Sequence, residues 1–399
     1  MYALNRTSSP PVACVPAVVV GGTLNGLGVV RSLARGRMPI YLLDTTRRCA
    51  AGWSRHVSFV PVAALEGRGL TDPLVELGTR LGCRPVLILT SDQSVNWVSE
   101  HRQDIEPLYR ISLPADNIVR ALADKTLFHE LAEREAFPVP RSVCLSDRGK
   151  LERLATLAPP LIVKPADKTL VLSGAVERAV QAATLADAQR ACAQMLARAP
   201  RVIVQEWIEG PDTDITFTLF SCDSRGKLLG LFPGRKLLCS PPAIGNTAVC
   251  VPAPEVADEL MAPTMQFIDR LGYRGLGSLE FKRDRRSGRS LIIEPTVGRT
   301  DWQEELATLC GVNLPLITYC AELERPVPRS DAPYPPVAWR SSAGFSAALP
   351  AGVRTVDGFF RWSDPVPALY YYGYERGLLR VWYRAARRAA AARSQRLQE

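Results

Sequence analysis

Histidine is nearly missing from this 399-residue chain: only His56, His101 and His129 occur, far apart. That removes the side chain most used for proton transfer and zinc ligation. Ten cysteines are scattered, with no C-x-x-C pair and no Cys/His knuckle spacing. Neither a zinc site nor a Cys/His nucleophile is expected. The thiols read as small core residues of a reducing, cytoplasmic protein. No run of eighteen apolar residues exists, so no membrane-spanning helix is expected. The opening "VACVPAVVVGG" is broken by Pro16 and ends in glycines, which suits a buried first strand better than a signal peptide. Lysine is scarce too, with seven among 49 basic residues. The net charge of +9 is therefore carried by arginine in an Arg-, Ala- and Pro-rich chain. Such basicity does not by itself signal a polyanion, and no nucleic-acid partner is expected.

What is present is an ordinary globular composition, 47% hydrophobic and 22% charged, long enough for two or three packed units. "AVVVGGTLNGLGVVRSLARGRMPIYLLD" (17–44) reads strand, glycine turn, helix, strand. "RPVLILTSDQ" (84–93) reads as a further parallel strand with a polar end. The pattern predicts an open parallel sheet over 1–118, a Rossmann-like domain. Its glycines and Asp44 raise a dinucleotide site, but the spacing is not G-x-G-x-x-G, and sheet packing explains them as well.

From 119 the pattern changes to α+β. A helix ends at Pro138, a strand carries Lys164, two strands flank a polar hinge, and a hairpin follows at 278–295. Residues 326–399 read as a Pro-rich linker and a basic tail helix, with Arg376, Arg380 and Arg384 four apart. The tail suits a solvated helix docked by its aromatics; contact with anionic lipid is the sharper alternative.

The hairpin "LEFKRDRRSGRSLIIEP" poses a physical problem. Folded about Ser287 it sets Glu280 opposite Glu294, and like charges across a strand pair repel. Such a pair must share a proton, splay into water or hold a cation. Mg²⁺ favours one or two carboxylates plus phosphate oxygens, and Thr296 on the same face could add a hydroxyl. Taken alone, a solvated hairpin face explains the pair at least as well. Lys164 in "LIVKP" is an ammonium on an apolar strand, which an anion would compensate. Lys125 in "ADKTLF" and Arg235 with Lys236 in "PGRKLL" could add further charge. The hinge "VIVQEWIEGPD" offers backbone groups beside Trp207 and Ile208 that can read adenine, with Asp212 or Asp214 for ribose.

In this order the motifs resemble the ATP-grasp superfamily over about 119–325, and most closely its carboxylate–amine ligases, a group that includes D-aspartate ligase-like proteins. The resemblance implies a lid lobe at about 140–208 and a catalytic lobe at about 209–325. It implies ATP and Mg²⁺, with Mn²⁺ as a substitute, and small carboxylate and amine substrates. Lys125 and Lys164 would contact the phosphates. Gln205, Glu206 and Ile208 would read adenine, and Asp212 or Asp214 would hold ribose. Glu280, Glu294 and Thr296 would bind the metal. Arg235, Lys236 and Arg299 would neutralise the phosphoryl group or the substrate carboxylate, and "SPPAIGNTAV" would close over the acceptor. Two departures stand out: Thr296 replaces the usual asparagine, and the loop after "KP" has only Gly174. Both keep open a non-catalytic nucleotide-binding protein; a dinucleotide-dependent oxidoreductase is the third reading.

Overall fold

The computed structural model describes residues 14–166, 176, 177, 179–344, 349 and 351–375. The loop around Gly174 and the tail arginines 376, 380 and 384 lie outside them. Among the described residues no helix is long and apolar enough to cross a membrane.

The first unit is a parallel sheet of β1 (Ala17–Val20), β2 (Ile40–Asp44), β3 (Ser58–Pro61), β4 (Val86–Leu89) and β5 (Arg110–Ile111), in the order β3-β2-β1-β4-β5. β1 and β4 are buried along their whole length, as continuous Val/Leu/Ile runs require in a sheet covered on both faces. Packing accounts for the glycine turn after β1. A Cβ on Gly26 would fall 2.1 Å from the Gly21 carbonyl oxygen, and Asp44 accepts from the Gly22 amide at 2.6 Å. The acid that could have met a ribose instead pins the turn.

The second unit is an antiparallel sheet of β6 (Ser142–Leu145), β7 (Leu161–Pro165), β8 (Val180–Ala182) and β9 (Val202–Glu206), in the order β6-β9-β7-β8. It has its own core, including Leu154, Leu161, Val163, Cys192 and Val204.

The third is a seven-stranded sheet: β10 (Ile215–Cys222), β11 (Leu228–Ser240), β12 (Asn246–Pro252), β13 (Gly275–Arg283), β14 (Ser290–Val297), β15 (Val337–Arg340) and β16 (Arg354–Asp357). Its order is β14-β13-β10-β11-β12-β15-β16. Two cores join this sheet to the parallel one: Val20 and Leu89 cluster with Phe220 and Phe281, and Val19 and Leu27 with Phe217 and Trp339.

β15 and β16 correct the expectation of a linker after 325. "VAWR" pairs with β12 and buries Trp339 almost completely. Proline punctuates this segment without preventing two short strands. The segment then returns to the start of the chain. Arg31, on the helix Leu24–Ala34, is buried and donates from Nε to Asp364 at 3.1 Å and from its two terminal nitrogens to the carbonyls of Gly358 and Phe359. Asp364 also accepts from the Ser54 hydroxyl and the Arg55 amide, each at 3.0 Å.

The same helix packs on Glu304–Leu309, where Glu304 is fully buried and accepts from Ser32 at 2.9 Å and Thr308 at 3.0 Å. Burial pushes its carboxyl from 4.5 up to about 8, against those hydroxyls. Between these values the unfolded chain has released the proton and the folded chain keeps it. This group's contribution to stability therefore falls as pH rises, by up to ~1.4 kcal/mol per pH unit. Glu304→Gln stays neutral at every pH. The wild type should lose stability relative to this variant from pH 4.5 to 8, read by urea unfolding; parallel curves would refute the buried neutral carboxyl.

Candidate active site

A cleft of about 360 Å³ opens between the four-stranded sheet, the seven-stranded sheet and the end of β4. Its floor is the hairpin. β13 and β14 pair with Glu280 opposite Glu294 and Ser278 opposite Thr296. Beyond the pair the register shifts, so that Phe281 faces Ile292. This bulge absorbs Ile293 and lets it line the cleft beside Glu294, although strand neighbours normally face opposite ways.

Lys236, on β11, is buried and lies 2.5 Å from the Glu280 carboxylate. Burial opposes its charge, but Glu280 together with Cys239 and Asp301 outweighs burial and holds the ammonium pKa above its usual value. Glu280 itself is pushed upward by burial; Lys236 opposes this, while Asp301 and Glu294 add to it. Three acids thus crowd one lysine. Arg235, its neighbour, takes the opposite strand face and stays outside the cleft, donating to Glu255 and the Thr213 carbonyl at 2.9 Å each. Of that expected pair of cations, only Lys236 enters.

The opposite wall carries the lysines. Lys164, on β7, donates to the Gln205 side chain at 3.3 Å, and Gln205 donates to Ser142 at 3.1 Å. Lys125 opens the helix Lys125–Arg134, whose N-cap Asp124 accepts from the Thr126 and Leu127 amides. Both lysines line the cleft with Gln205, Glu206, Trp207 and Ile208. The Glu206 carboxylate accepts from the Ala158 amide at 2.9 Å and lies 3.4 Å from Arg141.

Asp212 and Asp214, expected at ribose, have their oxygens engaged elsewhere and do not line the cleft. Asp212 accepts from the Cys239 amide at 2.6 Å and the Ala243 amide at 2.9 Å. It fixes the loop whose residues Ala243–Asn246 form one rim. Asp214 binds Arg285 through both oxygens, at 2.6 and 3.1 Å.

Arg299 lines the far end, donating to Asp92 at 2.7 Å, with Asp301 at 3.7 Å. Burial opposes its charge; the two aspartates, with Glu294, outweigh this and keep it ionised.

Asp92, Asp301 and Lys282 were not singled out from the sequence. Asp92 begins the helix after β4, and ligands of parallel sheets sit outside strand carboxyl ends. Lys282 lies two residues beyond Glu280, on the same face by strand alternation. Both signals were available.

Glu280, Glu294 and the Thr296 hydroxyl form an all-oxygen set, suited to a hard divalent cation. Among the described residues no group of three or more Asp, Glu, His or Cys could cage a metal. Two carboxylates suffice for Mg²⁺ when phosphates complete its shell. The set fits, and a cation there would relieve the crowding of Glu280.

Lys236→Met should cost about 3–5 kcal/mol in urea unfolding, because it strands Glu280. Arg235→Met, in a solvent-exposed pair, should cost about 1 kcal/mol or less. Equal losses would mean that the two cations are equivalent after all.

No family model matches the chain. It is 23% identical over 319 residues to the D-aspartate ligase of Enterococcus faecium (strain Aus0004), covering 74% of each chain. It shares the fold of N5-carboxyaminoimidazole synthetase from Staphylococcus aureus, with a TM-score of 0.62 at 13% identity over 79% of this chain and 78% of that one. The biotin carboxylase domain of the Hydrogenobacter thermophilus 2-oxoglutarate carboxylase gives 0.60 at 14%, over 80% and 72%. The chain has the ATP-grasp fold and is related to the carboxylate–amine ligases of that superfamily.

Proposed function

We propose that this protein joins a carboxylate to an amine at the expense of ATP, through an acyl phosphate. The observation that carries the reading is one cleft with opposed carboxylates, Glu280 and Glu294, on its floor and Lys125 and Lys164 on the facing wall. That is an arrangement for a polyphosphate with a divalent cation between it and the acids. The D-aspartate ligase relative and the MgADP complex named for the Hydrogenobacter domain support it.

A carboxylate resists attack by an amine because oxide is a poor leaving group. Moving the γ-phosphoryl group onto a carboxylate oxygen releases ADP and creates a phosphate leaving group. The amine lone pair then forms the C–N bond, phosphate departs and the amine loses a proton. Bound Mg²⁺ would supply charge neutralisation of the phosphates. Glu280, Glu294 and Thr296 would hold it, with Lys236 keeping Glu280 ionised. Lys125 and Lys164 would orient the triphosphate, while the Gln205–Ile208 hinge meets the base. Arg299, held between Asp92 and Asp301, would steady the acyl phosphate. Positioning and charge do the work, so the chemistry has no need of a histidine.

A panel of acid–amine pairs, read by ADP release and product mass, tests the reading. Turnover should require both partners. Glu294→Gln should abolish it with the fold intact by circular dichroism; near-normal turnover would remove the metal assignment. ATP binding without ADP release across the panel would favour the non-catalytic reading that Thr296 keeps open. Tight NAD(H) or flavin binding without ATP binding would favour the oxidoreductase.

A further inference from the structure

Lys282 is 3% exposed, on the floor of the cleft, where an ammonium is costly unless its donors are met. It lies on β13 opposite Ile215 of β10 and Leu291 of β14. Glu280 is two residues away on the same face, roughly 6.5 Å along the strand. On its other side is the hinge. The ammonium sits 4.5 Å from the centre of the Trp207 ring and donates to the Gly210 carbonyl at 3.2 Å.

That leaves two of its three N–H donors unassigned. The nearby acids do not take them. Asp212 is spent on the Cys239 and Ala243 amides, and Asp214 on Arg285. Among the described residues no carboxylate pairs with Lys282. Burial pulls its pKa down, and the fields of Asp212 and Asp214 only partly oppose this.

We propose that Lys282 recognises the sugar of the nucleotide, donating to the ribose hydroxyl oxygens. This rests on the nucleotide reading above and refines it. Phosphates at Glu280, Glu294 and Lys164, with the base at the hinge, leave the sugar over the floor between them. Lys282 occupies that floor. A cation thus takes the task that the sequence assigned to Asp212 or Asp214.

Isothermal titration of the full chain with ATP, 2′-deoxy-ATP and 3′-deoxy-ATP tests the proposal, with Mg²⁺ present. A charged hydrogen bond predicts that wild type binds ATP about tenfold tighter than at least one deoxy analogue. Lys282→Met should weaken ATP and bring that ratio to about one. Lys282→Gln keeps an N–H donor and should give an intermediate ratio, which decides the matter if the Met variant fails to fold. An absent wild-type preference would overturn the proposal. So would a preference that survives either substitution in full, or a loss shared equally by all three nucleotides, which points to a phosphate contact. A wild type that binds none of the three nucleotides would instead refute the nucleotide reading itself.

Discussion

The cleft is organised around an electrostatic debt: Glu280 is part-buried next to Glu294 and Asp301, and among the described residues Lys236 is its one direct ion-pair partner. Withdrawing a carboxylate from water among other carboxylates raises the energy of the ionised state, and the lysine offsets only part of it. The pair sits in an antiparallel hairpin whose register sets the two positions opposite each other. The bulge at Ile293 and the register shift after Lys236 in β11 both fall beside the crowded acids. Local irregularities of a sheet are a common way to aim side chains at a site.

Glu280, Glu294 and Asp301 come from the seven-stranded sheet and the turn that follows it, and the two wall lysines come from the four-stranded sheet and the helix that starts at Lys125. An anionic group with its cation, placed between them, would meet both at once.

Much of this was legible in the sequence, because strand alternation and hairpin symmetry are local rules. The Glu280–Glu294 pairing follows from counting, and the buried βαβ start follows from Val/Leu runs broken by glycine. What was lost depended on tertiary partners. Nothing local says that Asp212 would turn to the Cys239 and Ala243 amides, or that Arg285 from the hairpin tip would claim Asp214. Adjacency groups Arg235 with Lys236, although alternation places the two on opposite faces. The strands at 337–340 and 354–357 were obscured by the prolines around them, and their order is imposed by β12 rather than by their own propensity.

The distribution of apolar packing has a consequence for cooperativity. The parallel sheet and the seven-stranded sheet share two cores, so loss of one exposes the interior of the other, and they should melt as a single unit. The small sheet keeps a core of its own, so its opening would leave those two cores packed. The chain has thereby placed its rigidity under one wall of the cleft and its freedom under the other.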